Sequence, residues 1–340
     1  MGKKNKNKTP KILPFVSVCT PTFNRRPFIP YLIKCFESQD YPKNRIEWII
    51  VDDGTDKIED LVKDIPQVKY FSLNEKLVLG KKRNFMHEKC TGEYIVYMDD
   101  DDFYPPQRIS HAVNMLQTHP SALCAGSSEI YIYFKHIEKM YQFGPYGERH
   151  ATAGTFAFKR KLLENTRYKD EAALAEEKVF LNNYTVPFVQ LDPLKVILVF
   201  SHNHNTFDKK ILLENKDLKY CKESDKTIDN FIKDPILKDF YHKELHEQLE
   251  NYPDGLPTNK PDVLEQIEQL KQERAAIINK HNQNNGAICY SENGRNVELN
   301  NEQIVNILQK QQMEIERLNK ELQIKNKLLY DLTKDTNELI

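Results

Sequence analysis

The sequence lacks an apolar run long enough to cross a membrane. Its uncharged stretches fall well short of the ~20 residues that a membrane span requires. The first residues, Met1–Lys8, are basic and polar, without the apolar core of a signal peptide. Lys6 also stands where N-myristoylation needs Ser or Thr. We therefore expect a cytoplasmic protein with no membrane span and with a disordered basic tail at residues 1–12.

The sequence also lacks an excess of charge of either sign. Its 49 Lys and Arg residues balance 50 Asp and Glu residues, so the net charge is −1. This balance predicts neither nucleic acid nor an anionic membrane as a partner. Apolar residues make up 39% of the chain, which is below average, and charged residues make up 29%. We therefore expect one compact core joined to a highly polar region.

Paired cysteines are missing as well. None of the six cysteines forms the Cys-x-x-Cys pattern of a metal or redox site. Four of them fall within apolar patterns and are expected to be buried free thiols, which favours a reducing compartment: Cys19, Cys35, Cys90 and Cys124. The Asn-, Lys- and Ile-rich composition suggests an AT-rich genome, such as that of a large virus or a protist.

The most informative stretch joins an apolar run to four consecutive carboxylates, Asp99–Asp102. The run Tyr94–Met98 is short and uncharged, which predicts a buried strand, and Pro105 and Pro106 suit the first turn of a following helix. The acids are therefore expected at the carboxyl end of a strand, where open α/β sheets bind ligands. Adjacent carboxylates repel unless a cation neutralises them, and hard oxygen ligands favour Mg²⁺ or Mn²⁺. An acidic surface turn is the simpler alternative.

Strands and helices alternate along the first hundred residues. The patterns predict helices near 27–36, 56–64 and 81–90, and strands at 15–20, 46–51, 68–73 and 94–98. This alternation predicts an α/β fold with a doubly wound, mostly parallel sheet. Right-handed crossovers then bring the loops Pro21–Arg25, Asp52–Asp53 and Asp99–Asp102 to a single cleft.

The signals change after Ser127. We expect strands at 128–134, 155–158 and 194–201, with a helix at 173–183. The predicted domain boundaries follow from these patterns and from the turn-rich stretch Asn251–Thr258. They are a first domain at 13–215, a helical appendage at 216–260, a helix with a polar linker at 261–298, and a coiled coil at 299–340.

The coiled-coil prediction rests on a heptad pattern in the last forty residues. The a positions are Leu308, Ile315, Leu322, Leu329 and Thr336, and the d positions are Ile304, Gln311, Leu318, Lys325, Leu332 and Leu339. An apolar stripe this narrow is typical of a coiled-coil seam, so self-association is expected. A single amphipathic helix folded back on the first domain is the alternative.

Four motifs stand at the predicted strand ends and helix starts. They are Pro21–Arg25 (PTFNR), Val51–Gly54 (VDDG), Gly80–Asn84 (GKKRN) and Met98–Asp102 (MDDDD). In this order they resemble the family-2 glycosyltransferases of the GT-A fold, which use nucleotide sugars. The resemblance implies a GT-A domain and does not extend beyond residue 215.

The resemblance implies a set of nucleotide-binding residues. They are Pro21, Thr22, Phe23, Asn24, Arg25, Asp53, Lys81, Arg83, Asp99 and Asp100. Phe23 offers a face for a base, Asp53 would accept a hydrogen bond from uracil N3–H, and Arg83 with Lys81 would neutralise a diphosphate. Core packing of Phe23, a turn role for Asp53 and a solvated helix face for the two cations are the structural alternatives.

The resemblance also implies a metal pair, Asp99 and Asp101, and a general base. Alternation along a strand would point His202 and His204 to the same side, so either could complete the metal site. Glu177 is similar to the second residue of the family's Glu-Asp pair, although Glu replaces Asp here. Asp102 is the reserve base, and a helix N-terminal role for Glu177 is the alternative.

Together these expectations describe a metal-dependent, inverting glycosyltransferase with Mn²⁺ or Mg²⁺ as cofactor. Its donor would be a nucleotide sugar, a UDP-sugar on the strength of Asp53 and Phe23, and its acceptor a hydroxyl of a glycan or protein. A nucleotidyltransferase is one alternative, but Pro21–Arg25 contains no glycine of a phosphate loop. A catalytically dead coiled-coil scaffold is the other, although all the motif acids are present.

Overall fold

The computed structural model describes residues 13–174, 177–214, 219–284, 289–292, 295–299 and 301–337. The predicted tail, 1–12, and the last heptad position, Leu339, lie outside the described residues. The chain divides into two compact units. Along the sequence the first ends at Gln269 and the second begins at Leu270.

The strands are named in chain order. They are Val16–Thr22 (β1), Ile46–Asp52 (β2), Val68–Ser72 (β3), Tyr94–Tyr97 (β4), Cys124–Gly126 (β5), Ile130–Phe134 (β6), Lys139–Phe143 (β7), Ala157–Lys159 (β8), Phe188–Gln190 (β9), Val199–Ser201 (β10), Cys221–Glu223 (β11), Cys289–Glu292 (β12) and Arg295–Glu298 (β13).

The α-helices are named in the same way. They are Ile29–Glu37 (α1), Glu59–Val62 (α2), Leu79–Lys89 (α3), Arg108–Thr118 (α4), Glu177–Phe180 (α5), Ile211–Glu214 (α6), Ile228–Phe231 (α7), Pro235–Asp239 (α8), Leu245–Glu250 (α9), Pro261–Asn284 (α10) and Asn301–Asn337 (α11). A π-helical turn, Phe240–Glu244, joins α8 to α9.

The main sheet has seven strands in the order β3-β2-β1-β4-β8-β5-β9. β2 is buried along its whole length because its side chains are almost all apolar and both of its edges are paired. Its Trp48 stacks on Phe36 of α1 with ring centroids 4.3 Å apart. The chain winds outwards from β1 to β3 on one side and continues with β4 on the other. The strand order therefore reverses between β1 and β4, and ligands bind at such a point in open α/β sheets.

The α/β prediction is confirmed, but the sheet is mixed rather than doubly wound throughout. β3, β2, β1 and β4 are mutually parallel, whereas β8 runs antiparallel to both of its neighbours, β4 and β5. A second sheet of four strands has the order β10-β6-β7-β11. Sequence patterns indicate only separate strands in this region and not a second sheet, because the strands are short and separated by irregular loops.

Several predicted boundaries differ from the structure. The helix expected at 173–183 is only the short α5, and the strand expected at 194–201 shortens to β10. The predicted boundary at residue 215 falls within the first compact unit, which continues to Gln269. The later residues belong to its core: β11 pairs with β7, and Phe240 stacks on Tyr31 at 3.4 Å between ring centroids.

The second unit contains the hairpin β12–β13 and the long helix α11. In the described part of the chain no helix combines the length and the apolar character that crossing a membrane requires. The four cysteines expected in the core, Cys19, Cys35, Cys90 and Cys124, are buried free thiols, as predicted.

Candidate active site

A cavity of about 140 Å³ lies at the carboxyl ends of β1 and β4. It unites two of the three loops that were expected to converge, Pro21–Arg25 and Asp99–Asp102. The predicted site residues that line it are Pro21, Thr22, Phe23, Arg25, Arg83, Asp99, Asp100 and Asp101.

Arg25 is the cation at the centre of this site. It is buried, and its guanidinium lies 3.5 Å from Asp100 Oδ1 and 3.8 Å from Asp101 Oδ2. The same group donates to the carbonyl oxygens of His204, at 2.5 Å, and Gly255, at 3.0 Å. Arg25 therefore neutralises the acidic loop and ties it to two distant parts of the chain.

The acids respond differently to burial. Burial raises the pKa of Asp100 to about 7, with Arg25 opposing the rise and Asp101 adding to it. Burial alone would also raise the pKa of Asp101, but the hydrogen bond from His202 and the charge of Arg25 hold it well below its usual range. The surroundings of Asp101 therefore favour its ionised form.

Asp102 does not line the cavity. Burial and the charge of Asp101 raise its pKa well above the usual range, and its Oδ1 has no hydrogen-bond partner among the described residues. Its backbone carbonyl accepts a hydrogen bond from Tyr241. A buried carboxyl group that keeps its proton does not suit the reserve role of general base.

Arg83 pairs with Asp99, at 3.6 Å between Nη1 and Oδ1. Its guanidinium lies over the ring of Tyr97, 4.5 Å from the centroid. These contacts place a second buried cation beside the acidic loop, close to where a diphosphate was expected.

The structure corrects the lysine assigned to the site. Lys81 is exposed and lies outside the cavity, whereas Lys82 is buried and lines it. Lys82 Nζ donates to the Thr22 carbonyl oxygen at 3.1 Å and pairs with Asp53 Oδ1. The GKKRN motif indicated a basic helix start, but the helix phase brings its second lysine inwards.

Asp53 is fully buried and does not line the cavity. One oxygen contacts Lys82 and the other accepts the backbone N–H of Leu77 at 2.7 Å. Both carboxylate oxygens have partners within the protein and the side chain is not exposed, so contact with a uracil base requires Asp53 to become accessible.

Asn24 also faces away from the cavity and joins loops instead. Its φ of 51° lies in the left-handed region, which Asn tolerates better than most residues. Its side chain contacts Thr55 Oγ1, the Asp56 N–H and the Asp254 carbonyl oxygen. A Cβ on Gly54 would come within 2.6 Å of Asn24 N, so this close approach requires glycine.

The two histidines have different environments. His202 is buried and its Nε2 lies 3.5 Å from Asp101 Oδ2, as a metal-site partner would. His204 Nε2 instead donates to the Tyr252 carbonyl oxygen at 2.6 Å, away from the acids. Strand alternation does not apply to either histidine, because β10 ends at Ser201 and both histidines follow it. His202 and His204 therefore do not point to the same side.

Glu177 is the first residue of α5 and reaches the site through a short turn. Its Oε1 accepts the backbone N–H of Ala153 at 3.2 Å. A Cβ on the next residue, Gly154, would lie 3.0 Å from Asp99 Oδ2. One turn of backbone thus separates the candidate base from the acidic loop.

Sequence reasoning missed a segment at residues 252–266, which we call the closing segment. It covers the cavity with Lys260, Asp262 and Val263. Its contacts with the rest of the unit are Tyr252 Oη to Asp56, Asn24 to the Asp254 carbonyl, Arg25 to the Gly255 carbonyl, Lys260 to Thr206, Lys76 to Asp262, and the Ala173 and Leu174 N–H groups to Gln266 Oε1. Its Pro- and Gly-rich start indicated only a boundary.

Lys260 is the most informative residue of the closing segment. Its ammonium group is buried, lines the cavity and donates to Thr206 Oγ1 at 2.9 Å. Burial, with Arg25 nearby, lowers its pKa to about 7. Lys260, Lys76 and Lys82 lie 5.5 to 6.0 Å from the centroid of the Phe23 ring. The cavity is therefore an aromatic face surrounded by cations, beside a row of carboxylates.

Within the described residues, no three His, Cys, Asp or Glu side chains form a ready metal cluster. The chemistry of the loop nevertheless fits a divalent cation. Asp101 and His202 approach each other, Asp99 lines the same cavity, and the buried Oδ1 of Asp102 lacks a hydrogen-bond partner among the described residues. Carboxylate oxygens with one imidazole are suitable ligands for Mn²⁺.

Comparison with known proteins places this site in a family context. Residues 17–172 match the family described as Glycosyl transferase family 2. The GalNAc(5)-diNAcBac-PP-undecaprenol beta-1,3-glucosyltransferase of Campylobacter jejuni is 28% identical over 193 residues, covering 51% of this chain and 60% of that protein. Poly(ribitol-phosphate) beta-N-acetylglucosaminyltransferase TarS of Staphylococcus aureus is 30% identical over 115 residues, covering 31% of this chain and 19% of TarS. The chain spans less than two thirds of the length of either relative.

Solved structures give more distant likenesses. Mannosyltransferase PcManGT from Pyrobaculum calidifontis, in complex with GDP-Man and Mn²⁺, has a TM-score of 0.47 and 17% identity over 79% of this chain and 81% of its own. TarS 1–349 in complex with UDP-GlcNAc has a TM-score of 0.44 and 21% identity over 55% of this chain and 58% of its own.

The central position of Arg25 predicts a large stability effect, with the adjacent arginine as a matched control. Arg25→Met leaves Asp100 and Asp101 buried without their cation, so we expect a loss of about 3–5 kcal/mol in the free energy of unfolding. Arg26→Met removes half-exposed pairs with Asp56 and Asp60 and should cost about 1 kcal/mol or less. Denaturant unfolding followed by fluorescence of Trp48, the single tryptophan, measures both. Equal losses of unfolding free energy in the two variants would contradict the role of Arg25 as the cation that neutralises the acidic loop.

Proposed function

We propose, from the match of residues 17–172 to glycosyl transferase family 2, that this protein transfers a sugar from a nucleotide sugar to an acceptor hydroxyl. The finer proposal is a metal-dependent reaction that inverts the anomeric centre, with a UDP-sugar as donor and a glycan or protein as acceptor. The names of both curated relatives describe glycosyl transfer, which supports the reaction class.

The observation that carries the proposal is the composition of the cavity. It sets the Phe23 ring among Lys76, Lys82 and Lys260, next to Asp99–Asp101. A base can stack on such a ring, and the ammonium groups can neutralise a diphosphate. Both parts of a nucleoside diphosphate thus have complementary groups within one cavity.

The size of the cavity bears on how a donor enters. At about 140 Å³ it is smaller than the ~300–1,000 Å³ of typical ligand pockets. The Lys76–Asp262 ion pair, at 2.5 Å, closes it from the side of the closing segment. We infer that a donor displaces Asp262 from Lys76, because the carboxylate would repel a diphosphate that the lysine attracts.

Asp99, Asp101 and His202 would hold the metal ion. A bound Mn²⁺ or Mg²⁺ would act as a Lewis acid that stabilises the departing nucleoside diphosphate. Arg83 and Lys260 add positive charge on the protein side of the same cavity. The protein itself then supplies binding, orientation and neutralisation, and no covalent intermediate with a side chain is needed.

Glu177 is the proposed general base. It stands one backbone turn away from Asp99 and is partly exposed, so an acceptor hydroxyl can reach it. Removal of the hydroxyl proton by Glu177 as the oxygen attacks the anomeric carbon gives inversion in a single displacement. Burial raises the pKa of Asp102, the reserve candidate, well above the usual range, which makes Glu177 the better of the two candidates.

The function is tested by incubating the full chain with UDP- and GDP-sugars, with Mn²⁺ or with chelator. We expect release of free nucleoside diphosphate with Mn²⁺ and a preference for a UDP-sugar. Asp101→Asn should lower turnover about 10²-fold or more, because it removes a carboxylate that its neighbours favour in the ionised form and that would hold the metal. Asp60→Asn, on an exposed helix, is the control.

Three results would count against parts of this proposal. Full activity in the presence of chelator would exclude the proposed metal dependence. Pyrophosphate in place of nucleoside diphosphate would indicate nucleotidyl transfer. A preference for GDP-sugars would remove the uridine assignment, whose support from Asp53 is reduced by the Lys82 and Leu77 contacts.

The base assignment predicts a selective loss of turnover. Glu177→Gln keeps the side-chain shape and the acceptor oxygen for the Ala153 N–H, so donor binding measured by calorimetry should persist. Turnover should fall about 10²–10⁴-fold because the glutamine cannot take a proton. Glu171→Gln changes an exposed residue of the same loop and should leave turnover unchanged. Unchanged turnover in Glu177→Gln would exclude it as the base.

We also propose that the chain self-associates through α11. This helix is 37 residues long, and its heptad residues Leu308, Ile315, Leu318 and Leu322 are about half exposed or more in the single chain. An apolar stripe of this length is covered when a second copy packs against it. Glu314 and Glu321 pair with Arg317 on the same helix, which supports its helical state.

The proposed coiled coil predicts a change of mass on mutation of its seam. Leu318→Glu with Leu322→Glu places charges in the seam, so light scattering should report a monomer where the unchanged chain is a dimer or trimer. Gln312→Glu, outside the a and d positions, is the control. A truncation should end at Gln269, where the first unit ends, and should keep activity. A monomeric full-length chain would contradict the proposal.

A further inference from the structure

Four aromatic rings form a row outside the donor cavity. In order they are Tyr220, Tyr146, His150 and Tyr184, with successive ring centroids 5.2, 5.0 and 5.5 Å apart. Tyr146 is 42% exposed and the other three rings are partly exposed. We call this the aromatic row. The rings are tilted against one another, by 34° to 57°, and such partly exposed aromatic rings with polar edges suit a ligand with both apolar faces and hydroxyl groups.

The loop that carries the middle of the row is held in place from below. Ser128 Oγ accepts the backbone N–H groups of Tyr146, at 2.7 Å, and Gly147, at 3.0 Å. Gln190 Nε2 donates to the carbonyl oxygens of Glu148 and His150, both at 2.9 Å, and its Oε1 accepts the Ser128 N–H. The side chains of Ser128 and Gln190 therefore hold the loop backbone in the conformation that exposes Tyr146.

The inner end of the row is fixed as well. Asn182, Asn183 and Tyr184 have φ values of 48°, 53° and 61°, a left-handed conformation that non-glycine residues adopt only where the structure requires it. The Asn183 N–H bonds to the Lys178 carbonyl oxygen, and the Thr185 N–H to that of Leu181. This turn follows α5 directly and holds the Tyr184 ring beside the row.

The proposed base is the first residue of α5, the helix just before the inner end of the row. Tyr184 lies close enough to Glu177 for its charge to add to the effect of burial in raising the pKa of the tyrosine. Glu177 bonds to Ala153, only three residues after His150. The aromatic row thus leads from the surface to the carboxylate that would activate an acceptor hydroxyl.

The outer end of the row opens into a cavity of about 490 Å³. Tyr146 and Tyr220 line it together with Ser127, Gln190, Glu129 and Glu148. Among the described residues its charged lining is two carboxylates and one ammonium group, from Lys219, and this balance does not favour a polyanion. Aromatic faces with a few fixed polar groups are typical of small-ligand sites, and carboxylates can accept hydrogen bonds from hydroxyl groups.

We propose that the aromatic row binds an uncharged glycan as the acceptor and directs one of its hydroxyls to Glu177. This inference rests on the proposed glycosyl transfer and adds the acceptor class and its site. Tyr146 and Tyr220 would stack on an outer sugar, and His150 and Tyr184 would lie beside the sugar that receives the transferred residue.

The test measures sugar binding directly on the full chain. Saturation-transfer NMR is recorded with neutral trisaccharides (maltotriose, cellotriose and chitotriose) and with trigalacturonate as the anionic probe. We expect binding of at least one neutral probe and none of the anionic one. Tyr146→Ala should weaken that binding about tenfold, whereas Tyr146→Phe, which keeps the ring, should bind as the unchanged chain does. Ile137→Ala, with an equally exposed side chain at 39% in a separate turn, is the control.

Thermal unfolding midpoints establish that each variant is folded. Unchanged binding in a folded Tyr146→Ala, binding of the anionic probe alone, or binding of no probe would each overturn the proposal. Because this readout needs no nucleotide, it is independent of the donor assay. Absence of donor turnover together with Tyr146-dependent sugar binding would instead mean that the glycosyl-transfer proposal has failed while the sugar site remains.

Discussion

The repulsion among four adjacent aspartates at the end of β4 is the constraint on which the rest of the site depends. The carboxylates have different surroundings: Arg83 faces Asp99, Arg25 contacts both Asp100 and Asp101, and burial raises the pKa of Asp102 well above its usual range. The pKa of Asp101, with His202 beside it, is instead held well below its usual range. The cations and the differing pKa values thus reduce the repulsion within the cluster.

Arg25 also explains why the first unit extends beyond the family match. Its remaining donors bond to carbonyl oxygens of His204 and Gly255, both after residue 172. A Cβ on Gly255 would approach the Asn24 carbonyl oxygen to 2.8 Å, so the closing segment passes very near the β1 loop. The acidic loop, the β1 loop and the closing segment therefore form a single charged cluster.

Features that follow from hydrophobic periodicity could be predicted from the sequence. Features that depend on which of two neighbouring residues faces the site could not. Strand ends and the acidic loop followed from apolar runs and from the order of β1 to β4. The prediction names Lys81 rather than Lys82 as a site residue because a short basic helix gives little amphipathic signal. It names His204 because strand alternation does not show that β10 ends at Ser201. Lys260 and the aromatic row carry no local pattern, since contacts far apart in the sequence bring them together.

The two proposed binding regions differ in chemistry, and the difference suits two different ligands. The donor cavity is small and dense in charge, and the exclusion of water from it strengthens its electrostatic interactions with a diphosphate. The aromatic row is open and carries few charges among its described residues, which suits an uncharged, hydroxyl-rich ligand. Glu177 is partly exposed, and the backbone turn that its carboxylate holds lies against Asp99. Gln266 of the closing segment accepts the backbone N–H groups of Ala173 and Leu174, just before α5, so the segment that covers the donor cavity also contacts the loop that leads to the proposed base.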